Sequence, residues 1–173
     1  MIGLFKRTIA SLLKKLLKNF YLKKIKKTCA AYGKSLSVNH LSYCTKNTFL
    51  GHNVNFNGIK ISGAGKVVIG NNFHSGTECM MISQNHNYDY GKKIPYDNTY
   101  RLKNIFIEDN VWLGNRVIIL GGVTIEEGAI IQAGSVVVSD IPKCAIAGGH
   151  PAKVFKYRNI EHYEYLKTNG QFH

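Results

Sequence analysis

No aspartate or glutamate occurs in the first 77 residues, which hold 13 lysines and arginines, whereas residues 78–173 hold 10 of each sign. The formal charge of +13 therefore sits entirely in the first half. Nothing resembles a Pro/Ser-rich linker, and 173 residues suffice for one well-filled core, so one domain with appendages is expected. The four cysteines, Cys29, Cys44, Cys79 and Cys144, show no CxxC spacing and no clustered histidine. That argues against a zinc site and a disulfide framework, and reduced thiols are expected. No uncharged apolar run is long enough to span a bilayer, and no signal-peptide core or small-residue cleavage site follows the early lysines. A cytoplasmic protein is expected, with any membrane contact peripheral at the inner face. No RNP, helix-turn-helix or zinc-finger pattern accompanies the basic half, so nucleic acid is not expected as a partner.

Nine of the positive charges fall within residues 1–27, interleaved at helical spacing with Phe5, Ile9, Leu12, Leu13, Leu16, Leu17 and Phe20. This is a basic amphipathic helix. Two uses are open for its apolar stripe. It lies on an anionic membrane surface, or it packs on the rest of the protein or a neighbouring subunit.

From Ile107 to Val137 an aliphatic residue recurs at every sixth position: Ile107, Leu113, Ile119, Ile125, Ile131, Val137. A second series runs four positions later, through Val111, Val117, Val123, Ala129 and Ser135. A helix repeats near 3.6 residues and a strand at 2, so a sustained period of six means short strands interrupted by turns at identical places. The pattern predicts a parallel β-helix in which residues 18 apart stack, Ile107 on Ile125, Leu113 on Ile131 and Ile119 on Val137. Gly114, Asn115, Gly121, Gly122, Gly128 and Gly134 supply the corners. Before this run the repeat is imperfect. Ile61, Val67, Phe73 and Cys79 continue a six-period, and Ile69-Gly70-Asn71-Asn72 restates Ile107-Glu108-Asp109-Asn110. Leu36 to Thr48 reads as a lead-in, with roughly five coils between Leu50 and Pro142.

The pattern fails between Asn85 and Asn104, where His86, Tyr88, Asp89, Tyr90, Tyr96, Asp97, Tyr100 and Arg101 concentrate. A solenoid accommodates insertions as loops leaving one face, and such loops often carry the binding site. The expected organisation is a basic helical segment over 1–35, a β-helix domain over 36–158 with an excursion loop at 85–104, and a C-terminal tail over 159–173.

The runs Ile-Glu-Asp-Asn-Val-Trp-Leu-Gly (107–114), Gly-Gly-Val-Thr-Ile (121–125), Gln-Ala-Gly-Ser-Val-Val (132–137), Asp-Ile-Pro (140–142) and Gly-His-Pro-Ala-Lys-Val (149–154) resemble the hexapeptide-repeat acyltransferases. Over residues 50–158 the chain looks most like sugar O-acetyltransferases of the maltose and galactoside type and their relatives in capsule, lipopolysaccharide and exopolysaccharide synthesis. The resemblance implies a left-handed parallel β-helix, a homotrimer with its sites between subunits, acetyl-CoA as co-substrate, no metal, and direct acetyl transfer to a sugar or glycan hydroxyl.

Such a hydroxyl needs a base to remove its proton during attack, and imidazole, which titrates near neutrality, suits the role. His86, at the start of the excursion loop, matches the family's catalytic histidine. Asn55 and Trp112 match positions that hold the acceptor, and Tyr88 and Asp89 join them as candidates. Tyr88, Tyr90, Tyr96 and Tyr100 suit stacking on a sugar ring. The family match assigns the oxyanion donor to the backbone N–H of Asn115. Trp112, Asn115, Ala133, Gly134, Lys153 and Lys156 match coenzyme-binding positions, the lysines near phosphate. Asp89 and Glu78 are candidates to orient the base; His40, His52, His74, His162 and His173 are assigned no role. One departure stands out: Asn85-His86-Asn87-Tyr88-Asp89 lacks the proline that follows the histidine in maltose-type relatives, and is closer to polysaccharide-modifying members. A drug-inactivating acetyltransferase and a non-catalytic scaffold remain as alternatives. A γ-class carbonic anhydrase is disfavoured because no two histidines are spaced five apart.

Overall fold

The computed structural model describes the backbone of residues 2–173 and the side chains from residue 9 onward, so Phe5 of the apolar stripe lies outside the described side chains. The six-residue period winds into a β-helix of parallel strands. One face stacks Ala31–Tyr32, Thr48–Leu50, Val67–Ile69, Ile105–Ile107 and Thr124–Ile125. A second stacks Ser37–Val38, Asn55–Phe56, His74–Ser75, Trp112–Leu113, Ile130–Ile131 and Ala145–Gly149, closed by antiparallel Ala152–Tyr157. The third stacks Ile59–Ser62, Cys79–Ile82, Ile118–Leu120 and Val136–Val137. Ile107 pairs with Ile125, Leu113 with Ile131 and Ile119 with Val137, as the period predicts. These residues and the second series, Val111 through Ser135, are all buried.

Earlier coils are less regular. Asn55 pairs with His74 and Ile59 with Cys79, spacings longer than eighteen because residues 63–65 make a wider turn. The series Ile61, Val67, Phe73, Cys79 crosses that turn and changes its meaning there. Ile61 aligns through Met81 with Ile119, whereas Val67 aligns with Ile105. The winding also starts sooner than the expected lead-in. Ala31 and Tyr32 already pair with Phe49 and Leu50, and Ser37–Val38 pairs with Asn55–Phe56.

Asparagines shape one corner. Asn53, Asn72 and Asn110 all have positive φ, 53°, 53° and 62°, and form a ladder in which each side-chain amide donates to the next, at 3.0 and 2.8 Å. Asparagine tolerates this left-handed backbone and its amide satisfies its neighbour. This is the physical content of the repeated Ile-x-x-Asn motif.

Two helices flank the coils. The first, α1 (Ile2–Thr28), packs Tyr21, Leu22 and the buried Ile25 on the first coil. Cys44 lies under this contact, its Sγ 3.8 Å from the Ile25 carbonyl oxygen, and burial pushes its thiol up to about 12. All four cysteines are free. The second helix, α2 (Ile160–Thr168), starts at Asn159, whose side chain accepts from His162 N–H at 2.9 Å. It contributes no buried residue and docks through polar groups. The Tyr163 hydroxyl accepts from Asn110 at 2.9 Å and donates to Glu127 at 2.8 Å, while Lys167 lies 2.6 Å from Glu127.

Burial alone would raise the Glu127 carboxyl, but hydrogen bonds from Lys167 and Tyr163 and the charge of Lys143 outweigh it, and the net shift is down. A depressed carboxylate stabilises the folded state above its unfolded value, and that contribution disappears as pH falls through the folded value. Glu127→Gln is expected to cost about 2 kcal/mol at pH 7 and to flatten the loss of stability below about pH 4.5, measured by urea titration across pH.

Candidate functional site

The excursion is a β-hairpin. Gln84–His86 pairs antiparallel with Tyr100–Leu102, with His86 opposite Tyr100. Its base is pinned to the wide turn beneath it, where Ala64 N–H donates to Gln84 Oε1 at 2.8 Å and Lys66 N–H to Asn104 Oδ1 at 2.9 Å. Asp97 closes the far end, accepting from Lys92 N–H and Thr99 N–H, each at 2.8 Å. The Thr99 hydroxyl and these amides hold its carboxyl below the usual range.

Within this frame the His86 ring stacks on Tyr96, centroids 3.7 Å apart and planes 18° from parallel, with Tyr100 tilted against it at 4.8 Å. Two of the four tyrosines suited to a sugar ring therefore also contact the histidine, and both stay about half exposed. Tyr88 remains exposed beside it, and Tyr90 lies under the Arg101 guanidinium. His86, Tyr88, Tyr96 and Tyr100 line a groove of about 460 Å3 against Ser62, Gly63 and Ile82. His86 Nδ1 is buried with no hydrogen-bond partner, leaving Nε2 as the nitrogen able to reach a substrate. Neither candidate carboxylate is bonded to the ring: Asp89 pairs with Arg101 at 3.2 Å, and Glu78 with Arg116 at the start of the third face.

Asn115, Ala133 and Gly134 lie along the corner between the second and third faces, and Trp112 stands on the second face. Asn115 Oδ1 accepts from Thr77 N–H at 2.9 Å, and its carbonyl accepts from Gly134 N–H at 2.8 Å. The Asn115 N–H itself has no acceptor among the described residues. Next along the corner, a Cβ on Gly114 would lie 2.5 Å from Ala133 N, so only glycine allows the two coils to approach. Gly134, at φ 73°, has open space outside it. Lys153, opposite Gly148, and Lys156, opposite Ile146, are exposed on the closing strand. An open glycine and an unpaired amide at the corner, with Lys153 and then Lys156 farther along the closing strand, suit a long ligand with phosphate at one end.

Asn55 and Trp112 fall into one column of the second face, with His74 between them as the intervening rung. Asn55 Nδ2 lies 3.2 Å from His74 Nε2. His74 was assigned no role from sequence; the signal was its register, hidden by the wide turn and the hairpin insertion. Burial, and then the charge of His173, push its imidazole down. Trp112 is half exposed and lines a cleft of about 360 Å3 with His74, Tyr163 and Phe172, roofed by α2 and the residues after it. Within one chain, His86 and the Asn55–His74–Trp112 column stand on different faces.

Residues 104–139 match the family model described as bacterial transferase hexapeptide (six repeats). Among solved structures, a galactoside acetyltransferase in complex with coenzyme A superposes with a TM-score of 0.70 at 30% identity, covering 80% of this chain and 70% of that one. This chain belongs to the hexapeptide-repeat acyltransferase family. A second member, a hexapeptide-repeat acetyltransferase from Vibrio cholerae complexed with acetyl coenzyme A, gives a TM-score of 0.68 at 27% identity, covering 76% of this chain and 73% of that one. A Schizosaccharomyces pombe protein with a provisional acetyltransferase name is 40% identical over 108 residues, 62% of this chain and 49% of that protein. A Saccharomyces cerevisiae protein with a similarly provisional name is 36% identical over 118 residues, 66% of this chain and 59% of that protein. The chain spans about half the length of the curated relatives it matches. As a hexapeptide-repeat acyltransferase it carries a β-helix, interrupted here by the His86 hairpin and preceded by a basic helix.

Proposed function

We propose that this protein is an acetyl-CoA-dependent O-acetyltransferase that acetylates a sugar hydroxyl in surface polysaccharide synthesis, with His86 as general base and a homotrimer as the working unit. The observation that carries the reading is the His86 ring, held between Tyr96 and Tyr100 at the edge of an open groove with Nε2 as its available nitrogen. The thioester of acetyl-CoA supplies an electrophilic carbonyl carbon and a sulfur leaving group. His86 Nε2 takes the proton of the acceptor hydroxyl as the new C–O bond forms, and returns it to the departing sulfur as the C–S bond breaks. The Asn115 N–H answers the negative charge that develops on the carbonyl oxygen. Asn55 and Trp112 hold the acceptor, with Tyr88 and Asp89 at the edge of the hairpin. Ala133, Gly134, Lys153 and Lys156 line the coenzyme's path.

A homotrimer accounts for the separation of His86 from the Asn55–His74–Trp112 column, because a neighbour's second face then meets the hairpin. The Asn-His-Asn-Tyr-Asp run supports a polysaccharide acceptor through its resemblance to polysaccharide-modifying members.

The test is release of coenzyme thiol from acetyl-CoA in the presence of a panel of glycans and nucleotide sugars. Acceptor-dependent release with a new O-acetyl signal by NMR supports the reading; release with drug acceptors alone overturns the sugar assignment. Asn115→Ala separates backbone from side-chain roles. Losing the bond to Thr77 is expected to cost about 1 kcal/mol of stability while leaving kcat within about threefold, since the N–H is retained.

A further inference from the structure

Helix α1 carries two apolar faces that point in opposite directions. Residues advance about 100° around a helix axis, so Tyr21, Leu22 and Ile25, which pack on the first coil, centre about 160° from Ile9, Leu12, Leu13, Leu16, Leu17 and Phe20. Those six side chains are 43–61% exposed, and every described residue from Ile9 to Leu17 is exposed. The helix cannot turn this stripe onto its own solenoid without lifting Ile25 out of the core. Lys14, Lys15 and Lys18 lie across the axis, about 130–170° from the stripe's centre, whereas the exposed Lys23 and Lys27 continue the stripe's own side toward the C-terminal end.

We infer that α1 is an in-plane anchor whose stripe enters an anionic lipid surface, with Lys23 and Lys27 at the level of the headgroups. Charge selects this occupant over the same helix of a second copy. Residues 1–27 carry nine basic and no acidic residues, so pairing two such helices sets like charge against like, whereas anionic lipid neutralises it. Long lysine stems reach from the buried edge of the helix to the headgroups. The arrangement leaves the solenoid and its hairpin on the side of the helix away from the lipid. Among the described residues no helix is long and apolar enough to cross a membrane, so the contact is with the surface.

The full chain is tested by flotation with vesicles of phosphatidylcholine, with and without phosphatidylglycerol, together with sedimentation of the free protein. Flotation is expected with phosphatidylglycerol and to weaken as salt rises. Leu16→Glu, at the centre of the stripe and clear of the core, is expected to reduce partition at least about tenfold with unchanged thermal unfolding. Lys23→Ala and Lys27→Ala are each expected to reduce it about fivefold on anionic vesicles only. No flotation on anionic vesicles, or flotation that Leu16→Glu leaves unchanged while the assembly dissociates, overturns the inference.

Discussion

His86→Ala is expected to lower kcat/KM for acetyl transfer by about 10²- to 10⁴-fold, the range over which a positioned general base accelerates proton transfer. The structure makes this a clean test. His86 Nδ1 has no hydrogen-bond partner, so truncation leaves no polar group of the protein newly unpaired. The hairpin is held by its own ladder and by Gln84, Asp97 and Asn104, none of which depends on the imidazole. Loss should fall on kcat rather than on the affinity for acetyl-CoA, because the coenzyme candidates lie along a different corner. Steady-state kinetics with acetyl-CoA and acceptor each varied, with sedimentation to confirm the assembly, give the answer. Activity within about threefold of the parent would exclude His86 as the base.

Phe73→Ala is expected to destabilise the fold by about 3–5 kcal/mol, measured as a lowered urea midpoint at constant slope. Phe73 is fully buried and meets Phe56 edge to face, centroids 6.0 Å apart at 84°. Phe73 fills the inward position where the later repeats use the smaller Val111 and Ala129, and Phe56 the one where they use Leu113 and Ile131. Stacked coils have few ways to collapse around a void, since each rung is fixed by the hydrogen bonds of its neighbours, and the Phe73 carbonyl itself accepts from Asn55 N–H at 2.7 Å. Phe73 also precedes His74, so the cavity opens directly behind the Asn55–His74–Trp112 column. A rise in KM for the acceptor at temperatures well below unfolding is expected to accompany the loss of stability. An unchanged midpoint would mean that the coil repacks around the deletion.

The later coils were legible because each hexad repeats the same local instruction, an inward aliphatic residue, a polar corner and a second inward residue. Leu113 stacks on Ile131 for the same reason that Ile119 stacks on Val137. Legibility fell where coil length changed. The turn at residues 63–65 shifts the register, so a simple count by six placed Ile61 and Val67 in one series although they occupy different inward positions. His74 went unread for that reason, since its kinship with Asn55 and Trp112 is a matter of rungs and not of spacing. In the hairpin the residue types were informative but their partners were not. Tyr96 and Tyr100 were singled out for a sugar ring, and their contact with His86 was not legible.

Sequence by itself determined the β-helix, the place where it is interrupted and the histidine carried there, because period and insertion are properties of the chain read along its length. Only the tertiary structure decided which side chains the histidine stacks against, which column Asn55 and Trp112 share, and that α1 turns its stripe away from the coils. Those outcomes depend on the register between rungs and on the rotation of one helix about its axis, quantities set by packing between residues far apart in the chain.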